Sequence, residues 1–292
     1  MNDLVTGIGE VLWDLLPDGR KIGGAPANFA YHISQFGLPG CVVSAVGHDS
    51  LGDEIVATVD SKDILNRIER TDFPTGTVKV EVDAAGIPQY DICSDVAWDH
   101  IPFTPKIEET AMRTRAVCFG SLAQRGEESR RTINRFLDIM PRGADSLVVF
   151  DVNLRQSFYD REILAGSIGR CDTLKINDEE LTVISQMLGC SGDNDIDCCR
   201  ELINRFGLKI LILTCGVNGS HVVTPDKVSF MPTPQVAVAD TVGAGDSFTA
   251  AFTASILQGK SIAEAHKKAV DTSAYVCSRY GAMPQLPADI TD

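Results

Sequence analysis

Short apolar runs alternate with longer segments of helical periodicity along most of the 292-residue chain. Runs with strand character are residues 4–9, 41–47, 116–121, 146–152, 173–176 and 208–214. The last three are continuously apolar, as expected of parallel strands that are covered on both faces. The i, i+3, i+4 spacing of apolar residues predicts helices at about 25–36, 51–59, 128–140, 178–188, 196–206 and 245–258. This alternation predicts an α/β layered domain with a mainly parallel sheet.

One stretch departs from this rhythm. The segment TVKVEVDAAGIPQYDI, residues 77–92, consists of two alternating runs around a glycine-containing turn, which predicts a hairpin with one solvated face. Together with VLWDLLPDG, residues 11–19, it is expected to form a small β appendage, a kind of flap that often covers a ligand. No internal repeat or linker divides the chain, so residues 1–292 are interpreted as a single domain, with the appendage formed by about 11–20 and 75–103.

Composition narrows the range of functions. The formal net charge of −14 argues against binding to nucleic acid or to an anionic membrane, because both require a basic face. The N-terminus MNDLVTGIGE does not resemble a signal peptide, and no apolar run is long enough to span a bilayer. The nine Cys include no C-x-x-C spacing, which indicates neither a disulfide framework nor a zinc site. A cytoplasmic protein with small-molecule ligands is expected.

Two glycine patterns resemble phosphate-binding motifs but lack a required residue. The run G-I-G-E-V-L at 7–12 has Leu12 where a dinucleotide fingerprint has its third glycine, and it is interpreted as a strand end. The run G-K-S at 259–261 lacks the first glycine of a P-loop and follows a helix. The capping box of Ser261 and Glu264, which starts the next helix, explains it better.

A third pattern, VADTVGAGDSFTAAF at 238–252, places Gly243-Ala244-Gly245-Asp246 at the N-terminus of a helix. Free N–H groups and the helix dipole favour an anion there. Asp246 is either a simple helix cap or a catalytic carboxylate. A cap does not need Gly-Ala-Gly before it, whereas close approach by a phosphoryl group does. Asp246 is therefore predicted to accept the proton of an alcohol, while the amides of residues 243–245 stabilise the transferred phosphoryl group.

The motifs together resemble those of the ribokinase-like (PfkB) carbohydrate kinases. Residues 240–246, DTVGAGD, are similar to the C-terminal signature D-T-x-G-A-G-D of that family, and residues 23–28, GGAPAN, to its N-terminal signature. VGHDSLGD, residues 46–53, also follows the family. The resemblance implies a three-layer α/β/α sandwich with a mainly parallel central sheet and a small β lid. It further implies ATP-dependent phosphorylation of a sugar-like alcohol.

The resemblance also assigns roles by position. Asp246 would be the base, the residues Gly243, Ala244 and Gly245 the anion hole, and Arg155 a further catalytic residue. The sugar would contact Asp14, Gly24, Asn28 and Tyr90 as well as Asp246. The nucleotide would contact Asn177, Thr214, Gly216, Val217, Gly219 and Gly245. Glu180 would organise Mg²⁺, in part through water, and Asp240 would lie near K⁺.

Each of these assignments has a purely structural alternative. Asn177 and Glu180 have the spacing of a helix capping box. Arg155 could be a surface ion-pair partner, which contributes little stability. Gly216 and Gly219 could serve only as turn residues.

The stretches GEVLWDLLP (9–17), FGSLAQR (119–125) and GAMPQLP (281–287) resemble the fructokinase branch, which implies phosphorylation of fructose at its 6-hydroxyl. Ribokinases tend to carry an acidic residue near residues 122–124, and this chain does not. The alternatives left open are a PfkB kinase for another sugar or nucleoside, such as ribose or 2-keto-3-deoxygluconate, and a catalytically silent sugar-binding regulator. A dinucleotide-dependent oxidoreductase is a third. The resemblance also allows a homodimer formed through the lid.

Overall fold

The strands of the protein fall into two sheets. The computed structural model describes residues 3–16, 19–82 and 88–291, with side chains described outside residues 80–90. The described strands are β1 Leu4–Ile8, β2 Leu12–Leu16, β3 Gly19–Gly23, β4 Gly40–Gly47, β5 Leu65–Thr71, β6 Thr77–Val82, β7 Pro88–Ile92, β8 Thr114–Phe119, β9 Leu147–Asp151, β10 Thr173–Asn177, β11 Ile210–Thr214, β12 Ser220–Val223 and β13 Val228–Met231.

The helices pack around the larger sheet. They are α1 Ala25–Gln35, α2 Ser50–Asp60, α3 Pro105–Arg113, α4 Glu127–Ile139, α5 Arg161–Ile168, α6 Asp178–Leu188, α7 Asp195–Phe206, α8 Ala244–Leu257, α9 Ile262–Cys277 and α10 Ala288–Thr291. The helices predicted from periodicity correspond to α1, α2, α4, α6, α7 and α8. Among the described residues, none of the helices is both long and apolar enough to cross a bilayer.

The larger sheet has nine described strands in the order β13-β12-β11-β10-β9-β8-β1-β4-β5. All neighbours from β11 to β5 pair in parallel, and β12 and β13 extend the sheet as antiparallel strands. The prediction of a mainly parallel α/β sheet is confirmed. The continuously apolar runs became the central strands β9, β10 and β11, whose residues are almost all buried.

Side chains alternate between two apolar layers, one on each face of this sheet. Along β8, Val117 and Phe119 pack in the layer that contains α4 to α7, whereas Ala116 and Cys118 pack in the layer that contains α1, α8 and α9. Burial on both faces explains why these strands lack the polar and apolar alternation of a half-exposed sheet. The result is a helix–sheet–helix sandwich.

The second sheet contains four described strands in the order β3-β2-β6-β7. Strands β6 and β7 pair in antiparallel register, which confirms the predicted hairpin, and β2 pairs with β6 in parallel. The segment 11–19 was predicted to join this appendage, and it does so through β2 and the start of β3. The division of the chain into one domain with a lid remains a prediction.

Candidate active site

Asp246 lies in the first turn of α8. The helix begins after Gly243, whose φ of 78° and ψ of −1° are left-handed, and no side chain caps its N-terminus. The first amides of the helix are therefore not closed off by a capping side chain, as an anion-binding terminus requires.

The carboxylate of Asp246 is held by a residue from the other end of the chain. Its Oδ2 accepts a hydrogen bond of 2.7 Å from Nδ2 of Asn28. Asn28 lies in the first turns of α1 and is buried, and its own Oδ1 has no hydrogen-bond partner among the described residues. The fold thus brings the two glycine-containing signatures together and leaves a buried acceptor available beside the carboxylate.

The environment shifts the proton affinity of Asp246. The pKa of this carboxyl is raised to about 6, first by burial and next by the charge of Asp151. The amide of Asn28 and the charges of Lys175 and Arg155 act in the opposite direction on that pKa. A carboxyl with a pKa near 6 is mostly ionised at neutral pH, yet it accepts a proton more readily than an exposed aspartate, as general-base chemistry requires.

The structure gives a different reason for the small residues before Asp246. A Cβ built on Gly243 would lie 2.7 Å from Ala282, and one on Gly245 would lie 2.9 Å from Nζ of Lys175. Packing within the protein therefore requires Gly243, whether or not a phosphoryl group approaches it, whereas a side chain at Gly245 would have to displace the end of Lys175. The amide of Ala244 donates to the carbonyl of Thr241 at 3.3 Å, so one of the three predicted anion-hole amides is engaged in this structure.

The predicted sugar-binding residues lie on the N-terminal signature and on β2. Gly24 has a φ of 111°, and a Cβ there would lie 2.4 Å from the carbonyl oxygen of Glu10, so the backbones meet closely. The pKa of the Asp14 carboxyl is raised to about 6, because burial outweighs the lowering effect of the charges of Arg155 and Lys21. Tyr90 falls outside the residues whose side chains are described.

The predicted nucleotide-binding residues follow β10 and β11, which are neighbours in the sheet. Asn177 and Thr214 are paired in register at the carboxyl ends of these strands. Gly216 and Gly219 both have a positive φ, 53° and 99°. Both therefore also serve as turn residues, which was the structural alternative for them. Val217 between them exposes 88% of its surface. The loop therefore presents an apolar side chain beside open backbone.

Asn177 and Glu180 form the capping box that was the structural alternative for this motif. The Asn177 side chain accepts the amide of Glu180 at 2.7 Å, and Glu180 Oε2 accepts the amide of Asn177 at 2.8 Å. The other oxygen of Glu180, Oε1, accepts the amide of Leu154 at 2.9 Å. Glu180 thus links the start of α6 to the loop after β9.

The two remaining predicted residues lie at the edge of the site. Arg155 is exposed and donates to the carbonyl of Leu154 at 3.1 Å, but its charge acts on both Asp14 and Asp246. Asp240 accepts the amide of Gly281 at 3.0 Å and that of Val242 at 3.1 Å. Arg155 therefore lies within electrostatic reach of both carboxylates, and Asp240 joins the C-terminal signature to the turn at Gly281.

The family model described as pfkB family carbohydrate kinase matches residues 19–289. The chain belongs to the PfkB family. It is accordingly a carbohydrate kinase, a phosphotransferase that acts on an alcohol group, and the expected resemblance and fold are confirmed.

Among relatives of this kinase, a fructokinase from Klebsiella pneumoniae is 29% identical over 269 residues, which cover 88% of this chain and 85% of the relative. An ATP-dependent 6-phosphofructokinase from Thermoanaerobacterium thermosaccharolyticum is 25% identical, with 98% and 91% covered. An uncharacterized sugar kinase from Pyrococcus horikoshii, solved in complex with ATP, is 25% identical with a TM-score of 0.77, over 96% of this chain and 94% of that one.

Three further polar residues of the kinase site were not predicted as functional. Glu10 is 2% exposed, and its Oε2 has no hydrogen-bond partner among the described residues. Burial raises the pKa of Glu10 to about 7. Lys175 and Asp151 form a buried ion pair of 3.0 Å next to Asp246. A lysine inside an apolar strand was the available signal, because lysine is almost never fully buried without a partner.

Proposed function

We propose that this kinase transfers the terminal phosphoryl group of ATP to fructose, giving fructose 6-phosphate, with Asp246 as the general base. The observation that carries the proposal is the position of Asp246. Its carboxylate lies in the first turn of α8, is hydrogen-bonded to Asn28 of the other signature, and has a pKa of about 6 because of its burial.

The reaction requires three things of the residues around the acceptor alcohol. Asp14, Asn28 and the backbone at Gly24 would hold the sugar hydroxyls, and Asn28 has a buried oxygen ready to accept one. Asp246 would take the proton of the attacking hydroxyl while the sugar oxygen bonds to the terminal phosphorus of ATP and ADP leaves. Charge on the phosphoryl oxygens would be stabilised by amides at the start of α8, with Arg155 at the cleft edge.

The nucleotide would lie over the loop from Thr214 to Gly219, where its base would cover Val217. The ATP complex of the Pyrococcus horikoshii sugar kinase supports ATP as the donor. Mg²⁺ would neutralise charge on the phosphates when bound.

The residues present fit a Mg²⁺ ion that is held mainly by phosphates and water. No cluster of three or more His, Cys, Asp or Glu suited to a metal occurs in the described part of the chain. Glu180 accepts an amide on each carboxylate oxygen but retains further lone pairs that can orient metal-bound water. Asp240, with carbonyl groups near Gly281, would similarly lie beside K⁺.

The charge of the sugar side favours a neutral acceptor over a phosphorylated one. The carboxyl groups of this region belong to Glu10, Asp14 and Asp246. The opposing cations are Lys21, Arg155 and Lys175, of which Lys175 is already paired with Asp151. A sugar phosphate would add about two negative charges next to these carboxylates, which would repel it. The relation to the Klebsiella pneumoniae fructokinase supports fructose, whereas the relation to a 6-phosphofructokinase makes fructose 6-phosphate the competing acceptor.

The test is ADP release with ATP and Mg²⁺ in the presence of fructose, fructose 6-phosphate, ribose and 2-keto-3-deoxygluconate. We expect the highest kcat/KM with fructose and identify the product by NMR as the 6-phosphate. A higher kcat/KM with any other acceptor would replace fructose in the proposal. No turnover with any of them, together with measurable sugar binding, would instead favour the silent regulator.

The base role is tested by Asp246→Asn, which keeps the size of the side chain and an oxygen for Asn28. We expect kcat to fall by about 10²- to 10⁴-fold, because the proton acceptor is lost. KM for fructose should change little. Turnover near the original level would reject Asp246 as the base.

The second sheet would close over the sugar, and its strands would also be the surface for a homodimer. Size-exclusion chromatography with light scattering tests the dimer. A monomeric mass at the enzyme concentration of the assay would reject it.

A further inference from the structure

A buried lysine lies directly beneath the turn that carries Asp246. Lys175 is in the middle of β10 and is 7% exposed. Its Nζ lies 3.0 Å from Oδ1 of Asp151 at the end of the neighbouring strand β9. Removing two charges from water costs free energy that their mutual attraction often does not recover. A buried pair of this kind is therefore not explained by stability alone.

The ion pair is tied to α8 by a hydroxyl group. Thr249 Oγ1 lies 2.8 Å from Oδ2 of Asp151 and 3.0 Å from the carbonyl of Gly245, and its proton is shared between these acceptors. Both oxygens of Asp151 are therefore engaged, one by the lysine and one by the helix. The pair joins two strands of the sheet to the first turn of α8.

The ammonium group is also in contact with the predicted anion hole. A Cβ built on Gly245 would lie only 2.9 Å from Nζ of Lys175, so the lysine packs against the Cα of that glycine. Any side chain at position 245 would displace the lysine or the turn. Gly245 and Lys175 are thus matched to each other across the base of the site.

The charged groups that act on Asp246 come from three strands or their ends and from one loop. They are Glu10 after β1, Asp151 at the end of β9, Arg155 in the loop that follows, and Lys175 on β10. Cys118 on β8 also faces it, but burial raises the pKa of this thiol well above its ordinary value, so it is neutral. Asp151 and Lys175 oppose each other in their effect on the Asp246 carboxylate.

Lys175 keeps its charge despite its burial. Desolvation alone would lower the pKa of its ammonium group, but the charges of Asp151, Glu180 and Asp246 outweigh that effect and raise the pKa above its ordinary value. The lysine is therefore a permanent cation at working pH.

We propose that Lys175, held by Asp151, is a positioning residue for phosphoryl transfer: its ammonium group fixes the first turn of α8 and offsets the charge of Asp151, so that Asp246 remains ionised beside the acceptor alcohol. This role rests on the proposed function of Asp246 and adds Lys175, Asp151 and Thr249 to the residues on which that function depends.

The test compares the pH dependence of kcat/KM in Lys175→Met, Asp151→Asn and the double variant. Lys175→Met leaves Asp151 as an uncompensated carboxylate, so we expect the acid limb to move up by about one pH unit. Asp151→Asn leaves the lysine uncompensated, and the limb should move down by about the same amount. In the double variant the limb should return close to its original position.

A role in packing alone predicts another outcome. Loss of a purely structural pair would lower kcat or the melting temperature in both single variants without moving the limb, or would move it in the same direction in both. Either result would overturn the proposal. The matched control is the similarly buried pair of Arg125 and Asp99 near the second sheet, where Arg125→Met should leave the limb in place.

A milder variant covers the case in which Lys175→Met does not fold. Thr249→Val removes the hydroxyl that joins Asp151 to α8 and keeps the shape of the side chain. We expect kcat to fall by about tenfold with little change in KM, since a lost hydrogen bond to a charged group is worth about that factor, and Thr249→Ser to restore most of it. An equal loss in both variants, or none in Thr249→Val, would contradict the proposal.

A readout without substrate separates this proposal from the proposed function. The melting-temperature difference between each protein and its Asp246→Asn counterpart, measured against pH, reports the ionisation of Asp246. Its midpoint should move up in Lys175→Met and down in Asp151→Asn even if the acceptor is not fructose. An unmoved midpoint in a protein with full kinase activity would reject the lysine's role and leave the proposed function intact.

Discussion

The proposed sugar side and the proposed nucleotide side of the active site differ in whether their polar side chains are already hydrogen-bonded within the protein. On the sugar side, Glu10 and Asn28 are buried, and each keeps an oxygen without a hydrogen-bond partner among the described residues. On the nucleotide side, Glu180 has both oxygens engaged by backbone amides, and Val217 is 88% exposed.

This difference shows what each side still needs from a ligand. Oxygens that have no protein donor can accept hydrogen bonds from the hydroxyl groups of a ligand, and each such bond adds to the binding of a sugar. The nucleotide side is internally satisfied and instead offers apolar surface that a planar base can cover. One side is prepared for directional hydrogen bonds, and the other for contact area.

The largest effect on stability and kcat is expected from Gly243→Ala, which distorts the turn between the two sides. Gly243 has a φ of 78°, and an added Cβ would meet Ala282 at 2.7 Å. Backbone strain and overpacking together should cost about 2–4 kcal/mol of unfolding free energy and reduce kcat. Denaturant unfolding and steady-state kinetics measure both.

Gly216→Ala is the matched control for that variant. Gly216 also has a positive φ, 53°, but a Cβ there would have no atom within 4 Å. Only the backbone strain remains, so a loss of about 1 kcal/mol is expected. Equal losses in the two variants would show that the contact with Ala282 does not constrain the turn.

The next largest effect is the pH-dependent loss of stability that the buried carboxyl of Asp246 causes when it ionises. Because the pKa of Asp246 rises from 3.8 to about 6 on folding, its contribution to stability is present below pH 4 and is lost as pH rises through about 6. The loss is at most about 3 kcal/mol. Asp246→Asn should therefore melt several degrees above the original protein at pH 8, and the difference should vanish near pH 4, as followed by calorimetry.

The original protein measured at both pH values is the reference for this prediction, because carboxyl groups far from Asp246 titrate alike in the two proteins. An Asp246→Asn protein that is less stable at pH 8 would mean that the carboxylate is stabilising, and that its burial does not raise its pKa.

The smallest effect is expected on the nucleotide side. Val217→Ser removes apolar surface that the base of ATP would cover, which should raise KM for ATP by about three- to tenfold and leave kcat unchanged. Val228, exposed by 39%, offers the control Val228→Ser, which should leave KM for ATP unchanged. A change in kcat without a change in KM for ATP would contradict the proposed position of the adenine base over Val217.

The sequence predicted the central strands and six of the described helices, because long apolar or strongly periodic segments leave a clear pattern. It did not predict α3, and it indicated α9 only through the capping box at its start. It did not predict β5, whose sequence LNRIERT mixes polar residues into an edge strand. Nor did it predict β12 and β13, which have four residues each, too few to establish a period. The helix α5, with eight residues, is similarly short.

In the site, the motifs identified Asp246 and Asn28, and the structure brings them into contact. Motifs could not reveal why Gly245 is small, since its neighbour Lys175 is 70 positions away in the sequence and meets it only through the sheet. Nor could they show that Glu10 keeps an unpaired oxygen. Those properties depend on which strands are neighbours, and local patterns do not specify that order.

The hydrogen bond between Asn28 and Asp246 joins positions 218 residues apart. During biosynthesis the N-terminal strands and α1 leave the ribosome long before α8 is made. The chain therefore acquires the proposed acceptor for the alcohol proton only after most of it has been translated. On the proposed mechanism, a fragment that stops before α8 lacks this carboxylate and cannot transfer phosphoryl groups.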